Sequence, residues 1–593
     1  MSFTSPPPFT TRPTLAGTFG MTASTHWLAT AAAQAVLERG GNAFDAVVAG
    51  GFMLHLAEPH LNGPGGDLVG IFATAEDPGT PVVLAGQGPA PRGATIDHFR
   101  AEGLDLVPGA GGLAAAVPGA VDAWLVLLRD HGTWEVGDVL AYAIGYARDG
   151  IPLVPQAIAT IARVAELFRD DWPSSAALWL PALSGGLFRN PAYADVLDGL
   201  VHASCTVRDD GPVGRAARID AARREWKTGL VAHAAASFLA EPHRHSSGRE
   251  HAAVITPADF AAFDAGYEEA VTAGFRGATI AKAGSWTQGP ALLEALRILD
   301  GLPDESIDPS TELGAHTLIE ALKLALADRD AHFGDGAEID ALLSDETIAA
   351  RRALIGERAS HEFRPSSLEG SGGFTPPLRE GDGVSGSGEP TVDRSGETRG
   401  DTCHIDVVDR WGNIVSVTPS GGWLQSSPTI PELGFCLGTR LQMTWLDEDS
   451  PSALRPGGRP RTTLTPTLVL QQGRAVTALG TPGGDQQEQW QLSVLVRMLA
   501  GGYTPQQAID APSLHTTALV DSFWPRTWEP AGVVVEDRLG DEVITGLERR
   551  GHVVTRAGDW SLGRVSAVGR DAATGELWAA ANPRGMQGYA AGR

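Results

Sequence analysis

The spacing of apolar residues changes once along this chain, near residue 400. From about residue 112 to residue 368, apolar positions recur mostly every three or four residues, which predicts helices broken by Pro and Gly. The clearest helix is "HTLIEALKLALADRDAHFGD", where Leu318, Leu322 and Leu326 share one face. Beyond residue 402, period-two or apolar runs predict strands at "HIDVVD", "NIVSVT", "TLVL", "VSAVGR" and "LWAAANP".

Two further helices are predicted close to the N-terminus. Ser24 or Thr25 is expected to cap the first helix, and the glycine pair at 40–41 ends it. Asn42 is expected to cap the second helix, with Asp45 in its first turn. The segment that follows, "HLNGPGGDLVGIFAT", predicts a glycine-rich turn that enters a strand. It has no Lys after its glycines, so a tight turn is favoured over a phosphate-binding loop.

A polar segment separates the helical region from the strands. Residues 365–401 contain few apolar side chains, which predicts a mobile linker. The linker ends at the Asp401–Thr402 bond, and a strand starts directly afterwards. The residues "DRWGN" join this strand to the next as a hairpin, with Gly412 and Asn413 in the turn. A mobile segment is therefore expected to deliver Thr402 to the first position of a buried sheet.

Composition narrows the function classes. The 593 residues are 43% hydrophobic and carry a net charge of −26, so a nucleic acid would meet a repulsive field. Three cysteines at unrelated spacings suit neither a disulfide framework nor a structural zinc site. The N-terminus lacks a basic start followed by an apolar run, and no later segment resembles a membrane span. A soluble, cytoplasmic protein is expected.

Two motifs together indicate nucleophilic catalysis. A Thr hydroxyl needs a base, and its own α-amine, with a pKa of about 7.7 to 8.0, can serve if the preceding peptide bond is cut. Asp401–Thr402 would then be a maturation site. Further along, Gly483 and Gly484 in "GTPGGD" can direct backbone N–H groups at a developing oxyanion. Either motif alone is compatible with ordinary structure, and their combination favours catalysis.

The ordered set of motifs resembles the γ-glutamyltranspeptidase family of N-terminal nucleophile hydrolases over nearly the whole chain. The similarity is carried by "AAQAVLERGGNAFDAVVAGGFMLHLAEPHLNGPGGD", "EALKLALADRDAHFGD", "GDTCHIDVVDRWGNIVSVT", "RPRTTLTPTLV", "GTPGGD" and "NPRGMQGYAAG". It implies an α+β fold, the four-layer αββα sandwich, made from one precursor. Residues 1–401 would form the large subunit and 402–593 the small subunit, held in one globule.

The resemblance also implies roles for individual residues. Thr402 would be both the self-processing group and the catalytic nucleophile. The family's second hydroxyl, which hydrogen-bonds the nucleophile, falls on Ser420. Gly483 and Gly484 would supply the oxyanion hole. The paired hydroxyls that hold the substrate carboxylate fall on Thr462 and Thr463, where the family commonly has serines.

The departures from the family pattern concern the substrate. Members specific for γ-glutamyl groups place an Arg where this chain has Gln87, and an Asn where it has Gly422. Their acidic pair falls on Arg440 and Met443, so an α-ammonium would lack a partner. Burying a charge without its partner is costly enough to reverse a substrate preference. Arg440, with the two threonines, could still hold a carboxylate that has no neighbouring amine.

The expected activity is therefore amide hydrolysis or acyl transfer through a Thr acyl-enzyme, not strictly γ-glutamyl specific. Relatives that lack the acidic residues include acylases and amidohydrolases acting on glutaryl or oxamate groups. A small amide with a carboxylate, and water or an amine as acceptor, are the expected partners. No cofactor is implied, and without His-Glu-x-x-His or clustered Cys and His no metal is predicted.

Several alternatives stay open. The protein could be a true γ-glutamyltransferase or glutathione hydrolase, or a non-catalytic binding protein that kept the fold. Cys403 is a second candidate nucleophile, because cutting one bond later would expose an N-terminal Cys. His404 could be taken for a general base, although a structural hydrogen-bonding role is favoured for it.

Overall fold

The computed structural model describes residues 3–208, 211–368, 373–380 and 402–593. In these ranges the α-helices are α1 Trp27–Glu38, α2 Ala43–Ala57, α3 Ile96–Ala101, α4 Ala120–His131, α5 Val136–Asp149, α6 Pro155–Arg163, α7 Ala165–Asp170, α8 Pro173–Trp179, α9 Pro191–Cys205, α10 Pro212–Thr228, α11 Leu230–Leu239, α12 Pro257–Ala262, α13 Gly289–Asp300, α14 Glu312–His332, α15 Asp345–Ala353, α16 Gln487–Leu499, α17 Pro505–Asp510 and α18 Asp541–Arg550.

The strands over the same ranges are β1 Leu15–Gly17, β2 Gly20–Ser24, β3 Asp67–Ala73, β4 Val82–Gly86, β5 His243–Arg244, β6 Glu250–His251, β7 Gly266–Glu269, β8 Val271–Phe275, β9 Ala278–Lys282, β10 Ile405–Asp409, β11 Ile414–Ser420, β12 Thr467–Gln471, β13 Arg474–Gly480, β14 Leu514–Thr516, β15 Gly532–Val535, β16 Val553–Arg556, β17 Ser566–Arg570, β18 Leu577–Ala581 and β19 Tyr589–Gly592.

Two seven-stranded sheets form the centre of the molecule. Sheet A has the strand order β1-β18-β17-β13-β12-β9-β8, and sheet B has the order β19-β2-β10-β11-β3-β4-β7. All neighbours within these two sheets are antiparallel. Each sheet mixes strands that precede residue 401 with strands that follow it. The two parts of the chain are therefore interleaved throughout the core.

The sheets pack face to face, because alternate residues of each strand point to opposite sides. In β3, Val69 and Ile71 lie in the cluster between the sheets, together with Leu468 of β12 and Val568 of β17. Their neighbour Phe72 points the other way, into the helical layer. Buried strands of this kind have apolar residues on both faces, which explains their continuous apolar runs.

Helices cover both outer faces. Helices α1, α2, α4 and α5 pack with sheet B in one large apolar cluster. Helices α13, α14, α16 and α17 pack with sheet A in a second cluster. The layers thus run helix, sheet, sheet, helix, which confirms the αββα sandwich. Among the described residues, no helix is long and apolar enough to cross a membrane.

Most local predictions agree with the structure, and one helix cap does not. Helix α14 covers the predicted segment, and β10 and β11 form the predicted hairpin. Asn42 and Asp45 form a capping box at the start of α2. The cap of α1 is His26, whose side chain accepts a hydrogen bond from Leu28 N–H, and not Ser24 or Thr25. Ser24 is the last residue of β2 and pairs with β10, so the sheet takes precedence over the cap.

The predicted linker is described only in part. Asp401 and residues 381–400 lie outside the described residues. In the described part, the Ser366 hydroxyl donates to Asp328 Oδ2 at 2.7 Å, and Phe374 N–H donates to Ala331 O at 3.1 Å. These two points are packed against α14. The mobility of the remaining segment stays a prediction.

Candidate active site

Thr402 lies at the end of the central strands of sheet B, in a row of residues from four neighbouring chain segments. Thr402 forms an isolated antiparallel bridge with Ser420 at the end of β11. Ser420 is paired with Asp67 at the start of β3. On the other side of β3, Leu68 is paired with Gly86 of β4, so the antiparallel register brings Gln87 alongside Asp67. The sheet register therefore places Thr402, Ser420 and Gln87 together at one end of the central strands.

The Thr402 hydroxyl is held by two side chains. It is almost fully buried, and its Oγ1 lies 3.5 Å from Ser420 Oγ. The side-chain amide of Gln487 donates to the same Oγ1 at 3.4 Å. On the backbone, Cys403 N–H donates to Pro419 O at 2.9 Å and locks the strand start. Sequence reasoning missed Gln487, and its position three residues after Gly484 was the available signal.

The glycine turn directly precedes the helix that reaches Thr402. Gly483 has φ +128° and Gly484 has φ +52°, and α16 begins three residues later with Gln487. Neither glycine amide donates a hydrogen bond to another described residue. A Cβ on Gly483 would lie 2.2 Å from Trp490 Cζ3, so the turn needs glycine there. Both glycines precede the N-terminus of α16, the positive end of its helix dipole, and the first residue of that helix, Gln487, contacts Thr402.

Behind Thr402, Cys403 belongs to a buried polar network. Its thiol donates to Glu58 Oε2 at 3.2 Å and accepts from Asn62 Nδ2 at 3.0 Å. Burial and the neighbouring Glu58 carboxyl raise the pKa of the Cys403 thiol well above its usual value. Burial likewise raises the pKa of Glu58. A thiol held in this way is a weak nucleophile.

His404 is hydrogen-bonded through both ring nitrogens. Nδ1 lies 2.9 Å from Thr418 Oγ1, and Nε2 lies 2.8 Å from Asp406 Oδ1. The ring is fully buried between the two sheets, where Gly480 packs against it. These contacts match the structural role that the sequence favoured.

Arg440 is committed to Asp67. Nε donates to Oδ2 and Nη2 donates to Oδ1, both at 2.7 Å, and both side chains are buried. The third nitrogen, Nη1, faces the Met443 sulfur at 3.4 Å. This bidentate pair uses the fork that a substrate carboxylate would need. The ion pair with Asp67 favours a structural role for Arg440, and its contact with substrate stays a prediction.

Met443, which the resemblance sets at the family's amine-binding acid, belongs to a small apolar trio. Trp423, Met443 and Phe523 form a small buried cluster, with the two rings 6.3 Å apart. Gly422, next to Trp423, has φ +64°, and a Cβ there would lie 2.9 Å from Gly66 N. Glycine at this position is explained by the close approach of the neighbouring backbone. No carboxylate belongs to this trio.

Two other predicted substrate residues are buried with unused polar atoms. Gln87 donates through Nε2 to Gly88 O at 3.3 Å, while its Oε1 has no partner among the described residues. Thr462 N–H donates to Trp286 O at 2.9 Å, and Thr462 forms a bridge with Thr287. The Thr463 hydroxyl, also buried, has no described partner. Thr463 is thus available to a ligand.

One cluster among the described residues has metal-ligand chemistry. His316, Glu320 and His552 lie within reach of a common ion. Glu320 already pairs with Lys323 at 2.6 Å and with Arg364 at 2.9 Å. His316 Nδ1 lies 2.8 Å from His552 Nε2, a direct hydrogen bond. Lys323 and Arg364 thus already neutralise the Glu320 carboxylate, and the two histidines bond to each other, so the groups that a metal would need are already engaged.

Comparisons with known proteins identify the fold and the family. The chain is 50% identical to the solved structure of LmbA2991HD, with a TM-score of 0.92 over 99% of this chain and 100% of that one. The crystal structure of cephalosporin acylase from Bacillus halodurans is 26% identical, with a TM-score of 0.80 over 99% and 98% of the two chains. The fold is therefore that of the N-terminal nucleophile hydrolases.

The family model described as Gamma-glutamyltranspeptidase matches residues 29–592. The glutathione hydrolase-like YwrD proenzyme of Bacillus subtilis (strain 168) is 29% identical over 96% of this chain and 98% of its own length. The chain belongs to the γ-glutamyltranspeptidase family. This membership supports an autoprocessing amide hydrolase as its general class.

Proposed function

We propose that the protein cuts its own chain before Thr402 and then uses Thr402 to hydrolyse or transfer a small acyl group from an amide. The observation that carries this proposal is the placement of the Thr402 hydroxyl. It is buried and contacts Ser420 and Gln487, and Gln487 is the first residue of α16, just after two glycine amides that have no described acceptor.

Maturation follows from the same hydroxyl. Thr402 Oγ attacks the carbonyl carbon of Asp401, the peptide C–N bond breaks, and the hydroxyl proton passes to the Thr402 nitrogen. The resulting ester joins Asp401 to Thr402 Oγ. Water then hydrolyses this ester, which releases the Asp401 carboxylate and restores the hydroxyl. The product is a Thr402 whose free α-amine can act as a general base.

The catalytic cycle repeats this chemistry on an external amide. The α-amine takes the hydroxyl proton while Oγ attacks the amide carbonyl, and the N–H groups of Gly483 and Gly484 stabilise the oxyanion. The C–N bond breaks, the proton passes to the leaving amine, and an ester remains on Thr402. Water releases the acid, or an amine accepts the acyl group. Gln487 and Ser420 position the nucleophile throughout.

The acyl group is proposed to lack an α-ammonium. The apolar trio Trp423, Met443 and Phe523 offers no acceptor to an ammonium, and the carboxylate of Asp67 is already paired with Arg440. Asp485, another nearby acid, is taken by Arg329 and by the Ser522 hydroxyl. An ammonium would lose its hydration without compensation. A glutaryl or other des-amino acyl group avoids this loss.

Two measurements test the proposal. Denaturing electrophoresis and N-terminal sequencing should show fragments 1–401 and 402–593 for the native protein, and one 62.0 kDa chain for Thr402→Ala. Thr402→Ser, which keeps a hydroxyl, should still cleave. Kcat/KM for glutaryl 4-nitroanilide should equal or exceed that for the γ-glutamyl anilide. A small fragment beginning at Cys403 would refute the nucleophile, and a clear γ-glutamyl preference would refute the specificity.

A further inference from the structure

Arg461 is a buried cation with an unused hydrogen-bonding edge. Its side chain is only 3% exposed, and Nη2 donates to Ser522 Oγ at 2.7 Å. Nη1 is also buried, and no described residue accepts a hydrogen bond from it. When a buried guanidinium N–H has no acceptor, its lost hydrogen bonds to water are not replaced, which costs free energy. This arrangement is expected where a ligand supplies the missing acceptor.

The carboxylates around Arg461 are already engaged. Arg329 pairs with Asp330 at 2.8 Å and with Asp485. Asp485 also accepts hydrogen bonds from Ser522, through N–H at 2.8 Å and through the hydroxyl at 2.6 Å. Ser522 therefore stands between Arg461 and Asp485. Arg461 has no direct ion pair with a described carboxylate within 4.0 Å.

Charges of both signs surround Arg461: Arg329 and Arg526 are cations, and Asp330, Asp485 and Glu488 are acids. None of these acids accepts a hydrogen bond from Nη1. A ligand carboxylate would supply the acceptor that this edge lacks.

Arg461 also lies where the elements of the candidate site meet. It directly precedes Thr462 and Thr463, and the Thr463 hydroxyl has no described partner. Its hydrogen-bond partner Ser522 directly precedes Phe523 of the apolar trio. Through Ser522 it connects to Asp485, the residue after Gly484. The cation is therefore linked through Ser522 to the apolar trio and to the glycine turn.

We propose that Arg461, assisted by the Thr463 hydroxyl, binds the terminal carboxylate of the acyl group. The substrate class is then an amide of a dicarboxylic acid with an amine-free hydrocarbon spacer, whose spacer contacts Trp423, Met443 and Phe523. This inference rests on the proposed function and replaces Arg440 by Arg461 as the carboxylate-binding cation. Arg461 is thus the specificity-determining residue.

A pair of matched substrates tests this role. Glutaryl 4-nitroanilide carries the carboxylate, and 4-carbamoylbutanoyl 4-nitroanilide is its neutral analogue of similar shape. The wild-type protein should prefer the glutaryl substrate in kcat/KM. Arg461→Met should lower that preference about 10- to 150-fold, as expected for a charge-assisted hydrogen bond. Arg461→Lys should retain part of it, and Arg455→Met, at an exposed arginine of the same loop region, should not change it.

Self-cleavage and ligand binding separate the inference from the proposed function. Self-cleavage needs no carboxylate ligand, so it reports folding and Thr402 chemistry in each variant. Titration with glutarate should show binding to wild-type protein and weaker binding to Arg461→Met. Equal loss for both anilides in Arg461→Met, or no glutarate binding to the wild type, overturns the role of Arg461. Absence of cleavage in the wild type overturns the proposed function instead.

Discussion

Replacing Arg440 by Met tests whether this residue serves the fold or the substrate. Arg440 and Asp67 form two hydrogen bonds of 2.7 Å, and the two residues are 3% and 4% exposed. Arg440→Met leaves the Asp67 carboxylate buried next to Ser420 with no cation. Because an isolated buried charge is poorly solvated, the substitution should act mainly on stability.

The size of the effect follows from the burial of both partners. Removing one member of a buried ion pair costs about 3–5 kcal/mol. For a chain of 593 residues, an unfolding entropy of about 2.1 cal/mol/K per residue gives about 1.2 kcal/mol/K. The midpoint of thermal unfolding should therefore fall by about 2–4 °C. The effect on kcat/KM should be similar for substrates with and without a carboxylate.

A double variant provides the control. Asp67→Asn with Arg440→Met removes both charges, so it should be more stable than Arg440→Met alone. Thermal unfolding and kcat/KM for the two anilides are measured on all three variants. If Arg440→Met unfolds with the wild type and weakens only the glutaryl substrate, Arg440 faces the substrate and the reasoning about the ion pair is wrong.

Three further predictions follow from the site and its surroundings. Gly483→Ala should lower kcat about 100- to 1000-fold, because the added Cβ would collide with Trp490 and displace the proposed oxyanion donor. Gly502→Ala is the control: Gly502 also has a positive φ, +67°, but its Cβ would meet no neighbouring atom, so kcat should not change. Burial lowers the pKa of His515 from 6.5 to about 3, so between these two pH values the unfolded chain binds a proton at this residue that the folded chain does not. The free energy of unfolding therefore falls as the pH is lowered through this window. His515→Phe should reduce the difference between the thermal unfolding midpoints measured at pH 7 and pH 4.5. Iodoacetamide should label the exposed Cys205 and spare Cys403 in peptide mass spectrometry, and rapid labelling of Cys403 with loss of activity would favour the cysteine as nucleophile.

Local signals made part of the fold predictable. The α2 cap depends on Asn42 and Asp45, which are three residues apart, and the β10–β11 hairpin depends on a short turn. The predicted capping residue of α1 was wrong because Ser24 belongs to β2, which pairs with β10 and lies opposite Ile405. That partner is distant in sequence, so no local pattern reveals it. Where tertiary pairing competes with a local motif, the local prediction fails.

The same limit applies to the candidate site. Thr402 and the glycine turn were found because each is a short motif with its own chemistry. The pair of Arg440 with Asp67 was not found, because the two residues are 373 positions apart. Arg461 lies within the motif "RPRTTLTPTLV", yet its proposed role depends on Ser522, which contacts it only in the folded chain. Charge partners that lie far apart in sequence are a property of the fold.

The interleaved sheets determine what a cut before Thr402 would do. In sheet B, β10 pairs with β2 on one side, and β11 pairs with β3 on the other. In sheet A, β12 pairs with β9, and β18 pairs with β1. Each of these ladders joins a strand before residue 401 to one after it. A cut would therefore free a chain end without releasing a subunit, because separation would break these four ladders and the β19–β2 ladder and would expose the core between the sheets. The fragments should co-elute in native gel filtration and separate only in denaturant, and early dissociation would contradict this topology.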